Sequence, residues 1–362
     1  MPMWGYGDRH DMLSEGITKS LFAKAIVISA ADQKVALVGL DIGRGPTQAM
    51  MKAIRVELAE KAGIQHVMIS GTHTHHGPVI ELLDREGYGK GRFDAAVEYN
   101  KKLPEWIAAA ILAADKNLQP ARIGVGTKQI SANRNRHSKR IPKAIDNNLL
   151  IIRFDVLAGN ETDPPIAILV NYAAHPTMIR SEEMKFSPDY PGYLEDKVET
   201  DLNTNCVFMQ GASGDMSTSP PQGIHGPQSY GELLASYVVE LAQTTATSAP
   251  KKPEIPRQVD DYQFQSRIDF NNPLVAFAFG KAFFPELIRC FTVEFKEGIH
   301  AQLNTILLNQ EIALVGGSGE FFCNHGLRLK QRSYVPHTLF FGYCNGHHLY
   351  FPTIEALSLI HI

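Results

Sequence analysis

Short β-branched apolar runs that alternate with amphipathic helical stretches constrain this chain more than any other feature. Residues 24–30 and 35–41 read as two strands joined by the polar turn Ala31-Asp32-Gln33-Lys34. In residues 47–62, apolar Met50, Ile54, Leu58 and Ala59 recur at helical spacing and Gly63 closes the run. Residues 66–70 read as the next strand. This strand–helix–strand alternation predicts an α/β fold with mixed β-sheets flanked by helices, in a single large domain.

The same patterning predicts helices over 94–117, with a break near Pro104, over 190–202 and over 230–245. Strands are expected at 122–130, 149–156, 166–172 and 206–209. A Pro/Lys-rich connector covers 246–256, and beyond it the chain reads β-rich, with strands at 263–270, 292–295, 302–308 and 312–316. The connector is not expected to separate independent domains, because the chemistry proposed for the chain draws on both sides of it.

With 44% hydrophobic and 20% charged residues, the 362-residue chain can build a sizeable core, and a mostly disordered reading is excluded. A net charge of −3 with scattered basic residues excludes a nucleic-acid binder. The tightest basic cluster, 134–143, reads as one loop. Cys206, Cys290, Cys323 and Cys344 are too far apart for a C-x-x-C metal pair, and Cys206 lies in an apolar run that suits a buried, inert thiol. No stretch approaches the roughly 18–20 apolar residues of a membrane span, and the first residues carry no apolar signal region.

Five polar segments remain, four of them at the carboxyl ends of expected strands, where α/β sheets place their sites. Gly71-Thr72-His73-Thr74-His75-His76-Gly77-Pro78 holds three histidines in four positions. In an extended segment His73 and His75 would share a face and His76 would point elsewhere. Asn171-Tyr172-Ala173-Ala174-His175 ends another apolar strand. Gln210-Gly211-Ala212-Ser213-Gly214-Asp215-Met216-Ser217 is small enough for close backbone approach to a ligand. It is not a Gly-x-Ser-x-Gly elbow. Gly316-Gly317-Ser318-Gly319-Glu320 lacks the Gly-Lys-Ser/Thr of a phosphate loop and presents a carboxylate at a strand end. Taken alone, that glutamate suits a helix start. Asn345-Gly346-His347-His348-Leu349-Tyr350 is polar and turn-rich, although an isolated Tyr350 would suit a core.

In order and relative position these segments resemble the neutral/alkaline non-lysosomal ceramidase family, and the opening Met3-Trp4-Gly5-Tyr6 resembles its early Met-x-Gly-Tyr stretch. The resemblance runs over essentially the whole chain. It implies a Zn2+ ion held by His73, His175, Glu320 and Tyr350. His75 would contact the substrate, Arg134 would be the active-site arginine, Ser217 would line the site, and Gly5 would offer a backbone N–H to the substrate oxygen. The implied activity is hydrolysis of the amide bond of N-acylated lipids such as ceramide, giving a free fatty acid and a sphingoid base. The implied partners are a lipid substrate and, peripherally, a membrane surface. Zinc suits the task because it acidifies water and polarises a carbonyl. Arg134 and His75 would stabilise the oxyanion, and His75 or a carboxylate would protonate the leaving amine. Ser217 as a covalent nucleophile is the weaker reading, because the sequence shows no dedicated base beside it.

Three departures bear on this set. His76 stands where the resemblance leads one to expect serine. His347 and His348 sit close enough to Tyr350 for one of them to compete for the metal. Met216-Ser217-Thr218 replaces a serine–proline pair. These leave open a zinc hydrolase of another amide or ester, or a zinc-binding protein without turnover. The chain also opens at the Met-x-Gly-Tyr stretch, and its last six residues, Leu-Ser-Leu-Ile-His-Ile, match the translation of a transposon mosaic-end adaptor. The expectation is a ceramidase-like catalytic domain over 1–356, clipped at both ends, with 357–362 a non-native tail that displaces a further active-site tyrosine. Compartment and oligomeric state stay open. A signal segment upstream would place the protein outside the cell or in the periplasm.

Overall fold

The first hairpin of the computed structural model pairs Ala23–Ala30 antiparallel to Gln33–Leu40, with Ala30 opposite Gln33. The structure describes residues 1–354 except 139–140, 161–162, 266–268 and 270–271. The turn is therefore two residues rather than four, and Ala31 takes a left-handed φ of 53°, as tight hairpins require. Helix α1 (Gln48–Ala62) begins where the Thr47 hydroxyl accepts the Met50 N–H and ends at left-handed Gly63. His66–Gly71 then joins the sheet parallel to Gln33–Leu40.

Helix α2 (Asp94–Lys116) runs unbroken through Pro104, contrary to the sequence expectation. Its buried Leu103, Ile107 and Ile111 pack with α1 and the first sheet, and that burial outweighs the hydrogen bond a helical proline removes. A second sheet has the order Asn205–Gln210, Ala167–Tyr172, Asn148–Val156, Ala121–Gln129. Helices α3 (Tyr190–Leu202) and α4 (Gly226–Thr244) cover it. A third sheet has the order Arg257–Phe264, Ile299–Leu308, Ile312–Gly317, His337–Phe341. Helices α5 (Pro273–Phe279) and α6 (Pro285–Glu294) lie between its first two strands, and α7 (Cys323–Arg332) precedes its last.

Two expected strands move. The one placed at 263–270 lies earlier, at Arg257–Phe264, and most of the remainder of that range falls outside the described residues. The one placed at 292–295 is the end of α6, whose Leu287, Cys290 and Phe291 are buried at helical spacing. Residues 355–362, including the adaptor-like tail, also lie outside the described residues.

The strands facing both ways explain the layering. Val35 and Leu37 enter a core shared by all three sheets, whereas Ala36, Val38 and Leu40 face α1 and α2. Leu169 enters that central core, while Ile168 and Val170 face α3 and α4. This is the period-2 alternation of a strand buried on both faces. Side-chain amides then clip the sheets together: Asn171 Nδ2 donates to the carbonyls of Met209 and Phe340, and Asn345 spans the Val67 carbonyl and the Ile69 N–H. The carboxyl ends of five strands are thereby gathered at one place. Among the described residues no helix is long and apolar enough to cross a membrane.

His66, at the start of its strand, is 5% exposed and its Nε2 has no partner. Burial, and then the charges of Arg257 and Arg55, push its pKa down to about 4. The folded chain thus keeps this imidazole neutral where the unfolded chain takes up a proton near 6.5, so stability falls as pH drops from about 6.5 to 4. In urea unfolding at pH 7 and pH 4.5, His66→Gln should lose on the order of 2 kcal/mol less between the two pH values than the parent. Equal losses would remove His66 from the acid response.

Candidate metal centre

The loop after His66–Gly71 turns sharply. His73 adopts a left-handed φ of 69°, held by Thr72 N–H donating to the Leu40 carbonyl and His73 N–H to that of Ile42. His73 and His75 do converge, with Nε2 atoms 3.4 Å apart. The reason is this backbone turn and not the extended alternation expected from sequence. His76 points away and sits against Arg9, whose Nη2 lies 2.7 Å from its Nε2, so the extra histidine is a packing residue. His175 leaves the end of Ala167–Tyr172, and its N–H donates to the Met216 carbonyl. Glu320 follows Ile312–Gly317.

The hydrogen bonds of the two imidazoles settle their tautomers. His73 Nδ1–H donates to the Gly43 carbonyl at 2.6 Å, and His175 Nδ1–H to that of Ser213 at 2.7 Å. In the neutral rings each Nε2 is then unprotonated; the two face each other at 3.0 Å, and Arg136 Nη2 lies 2.9 Å from that of His175. Glu320 Oε2 completes the triangle at 3.3 Å from His73 and 3.4 Å from His175, buried and without a hydrogen-bond partner. Burial first, then the neighbouring His73, pushes His175 down to about 4, which disfavours a proton on its Nε2. Three lone-pair atoms held this close fit a cation among them. Ligands 2.0–2.1 Å from a tetrahedral zinc are themselves about 3.3 Å apart, which matches the observed triangle. Carbonyl acceptors on the far ring nitrogens are also the usual support of metal-bound histidines.

His75 belongs to the same cluster, with ligand atoms of His73, His75 and His175 all within 4.8 Å. Its Nδ1 is buried and unpartnered, while its Nε2 faces that of His73. Burial, then His73 and His175, holds its pKa well below the ordinary value. Gly5 lies against this ring: its φ is +105°, and a Cβ there would sit 2.4 Å from His75 Cγ. Tyr350 is the strand partner of Glu320 in the short parallel ladder Glu320–Phe321 with Tyr350–Phe351. Ser217 pairs by backbone with Arg134 and bridges to His175.

The arginine that reaches the centre is Arg136. Its Nη2 lies 2.9 Å from His175 Nε2 and 3.3 Å from the Tyr350 hydroxyl, and it donates to the Gly214 carbonyl. Arg134 is exposed. In Asn133–Asn135 the flanking asparagines turn inward, to the Asp146 and Ala173 carbonyls and to Asp215, so strand alternation sends Arg134 outward. The chain then leaves the strand and delivers Arg136. The tandem Asn133-Arg134-Asn135-Arg136 makes the two registers indistinguishable by dipeptide alone.

Of the two later histidines only His347 faces the centre, with Nε2 3.2 Å from Glu320 Oε1. His348 donates to the His300 carbonyl at 2.8 Å. Sequence reasoning missed two aromatic supports. Tyr343 stacks on His73 with ring centroids 4.0 Å apart, and Trp4 meets His73, His75 and His347 edge-on. Beside them a cavity of about 150 Å³ carries His75, Glu320, His347 and Tyr350 on one side and Phe283, Phe284, Leu287 and Phe291 on the other.

Known proteins share sequence and fold with this chain. The family profile "Neutral/alkaline non-lysosomal ceramidase, N-terminal" matches residues 1–229. The chain belongs to that family. Neutral ceramidase A of Dictyostelium discoideum is 28% identical over 183 residues, 42% of this chain and 24% of that protein. Neutral ceramidase 3 of Arabidopsis thaliana is 30% identical over 132 residues, 33% and 17% of the two chains. The matched segment thus spans about a quarter or less of these curated relatives. The crystal structure of neutral ceramidase from Pseudomonas aeruginosa superposes with a TM-score of 0.74 at 20% identity, covering 99% of this chain and 67% of that one. A structure described as ceramidase complexed with C2 gives 0.73 at 19%, covering 99% and 68%. These likenesses establish the fold.

The contact of His347 with Oε1 leaves Oε2 of Glu320 turned toward His73 and His175. Partners of a ligating carboxylate commonly contribute 10–100-fold in metal affinity. His347→Ala should therefore weaken zinc binding by about that factor in a chelator competition, with far-UV dichroism unchanged. An unchanged affinity would show that Glu320 needs no such support.

Proposed function

We propose that the chain is a zinc-dependent hydrolase that cleaves the amide bond of N-acylated lipids such as ceramide, releasing a fatty acid and a sphingoid base. The observation that carries this reading is the buried triangle of His73 Nε2, His175 Nε2 and Glu320 Oε2, two of whose atoms have their protons committed elsewhere. The residues that would hold zinc are His73, His175 and Glu320, with Tyr350 as the fourth. Burial, and then the Glu320 charge, raises the Tyr350 phenol above its usual range, and a cation reverses that effect. When bound, zinc supplies Lewis acidity and a water acidified to about pKa 7.

The chain's own groups then divide the remaining work. Arg136 directs a guanidinium toward the centre and stabilises negative charge on the carbonyl oxygen. His75, neutral and with a free Nδ1, would take up the proton released by the attacking water and hand it to the leaving amine, returning to the neutral ring. The backbone of Gly5, closely apposed to that ring, would donate an N–H to substrate. Ser217 borders the site through its bridge to His175. The phenyl rings of the adjoining cavity exclude water and suit an acyl chain. The modest volume of that cavity favours a second reading, in which the substrate is a short-chain amide or ester. Residues 1–356 would act as the catalytic domain in either case.

His73→Ala should abolish both zinc content and turnover of a fluorescent ceramide; retained zinc with full activity rules out the ligand role. Arg136→Ala should lower kcat/KM by about 10²–10³ while Arg134→Ala changes it less than about twofold. The reverse pattern would restore Arg134 as the active-site arginine. Faster hydrolysis of a short-chain amide than of the ceramide would favour the second reading.

A further inference from the structure

Helix α6 borders two cavities. Leu287 and Phe291 line the one beside the metal centre, whereas Cys290, Val293 and Glu294 line a separate cleft of about 760 Å³ between α1, α2 and α6. That volume lies in the range of small-molecule sites. The walls are apolar, formed by Met50, Ile80, Leu82, Val97 and Val293.

The floor is of a different character. Glu81 and Glu294 line it and share one buried cation, Arg44, at 2.6–3.1 Å. The three side chains carry one surplus negative charge. At the rim, Asp84 and Glu297 balance Lys101 and Lys296, and Lys101 is itself bound to Asp84 and Glu98. The surplus on the floor is not offset there. Each carboxylate offers about four acceptor positions. Arg44 and the Ile80 N–H occupy only part of them. Asn100 adds an independent sign of a ligand. It lines the same cleft and is 6% exposed, its Nδ2 donates to the Leu82 carbonyl, and its Oδ1 has no partner. Leaving such an acceptor buried and unpaired is costly. The cleft therefore offers acceptors and negative charge at its base, and hydrocarbon along its walls.

We propose that this cleft binds a single-chain primary amine amphiphile, its ammonium donating to Glu81, Glu294 and Asn100 and its chain lying along the apolar walls. An ammonium supplies three donors and one positive charge, which answers both the surplus charge and the unpaired acceptor. A fatty carboxylate would add a second uncompensated negative charge to the floor. Hydrolysis of an N-acylated lipid releases an amine of this class, but the inference rests on the cleft's residues and needs neither metal nor turnover.

The test is isothermal titration calorimetry with dodecylamine, dodecanol and dodecanoate, each below its critical micelle concentration, on the zinc-loaded protein. Ala53, exposed on α1 and lining the cleft, and Val293, 47% exposed on α6, are replaced one at a time by tryptophan to fill it. The expected result is dodecylamine binding at least about tenfold tighter than dodecanoate, with Ala53→Trp and Val293→Trp each weakening dodecylamine by about tenfold or more. Zinc content and amide hydrolysis stay at the parent level in both variants. Equal binding of amine and carboxylate would overturn the proposal. So would unchanged dodecylamine affinity in both tryptophan variants, because the amine would then sit elsewhere, such as beside the metal centre. Loss of zinc or activity in the His73 variant bears on the hydrolase reading alone.

Discussion

Two imidazole nitrogens with no proton between them, 3.0 Å apart and facing a buried carboxylate oxygen, set the terms for the rest of the molecule. The arrangement is unfavourable by itself. Its tautomers are imposed from behind by the carbonyls of Gly43 and Ser213, and burial opposes relief by protonation. His73 also occupies a left-handed backbone region, which costs about 1–3 kcal/mol. Such strain persists only where neighbouring structure over-determines it, and here the backbone bonds to Leu40 and Ile42 do so. Under the proposed reading a divalent cation would convert these contacts into ligand bonds, and folding stability and metal binding would be linked at this point.

The three-sheet architecture follows from that requirement. Gly43 comes from the loop after the first hairpin, His73 from the end of the adjacent parallel strand, His175 and Ser213 from the second sheet, and Glu320 from the third. No local segment could supply this set. The amides of Asn171 and Asn345 join the sheets at the ends of their strands, so the loops they carry cannot drift apart. Stacking of Tyr343 on His73, with its hydroxyl 3.0 Å from Ser213 Oγ, ties the third sheet to both imidazole supports.

Much of this was legible in the sequence because it is local. Strand and helix periods, the Gly63 cap, and the histidine-rich loop each have a short-range signature, and the five segments stood in an order that a family resemblance could recognise. What failed was either ambiguous locally or decided by tertiary contact. Pro104 reads as a helix break, yet a buried face holds α2 continuous through it. Residues 292–295 read as a strand because Val293 and Phe295 alternate with polar Thr292 and Glu294; Leu287, Cys290, Phe291 and Glu294, taken together with Pro285 at the first turn, carry the helical period. Arg134 and Arg136 follow identical asparagines, and only the inward turn of Asn133 and Asn135 decides between them. The choice between His347 and His348 likewise depends on which ring a sharp turn directs at Glu320, with left-handed backbone at Asn345 and Leu349 on either side.

The segment Gly43–Arg44–Gly45 shows how the centre and the rest of the fold constrain each other. Its first carbonyl orients His73, while the Arg44 side chain, 1% exposed, is bound to Glu81 and Glu294. Removing either carboxylate would leave a buried guanidinium short of a partner, which is more costly than never having buried the pair. Helix α6 is therefore anchored through Glu294 to the residue next to the one that sets the His73 tautomer. The same helix walls the apolar cavity through Leu287 and Phe291. A displacement of α6 would consequently act on the orientation of His73 and on that cavity together, because both depend on one buried ion pair.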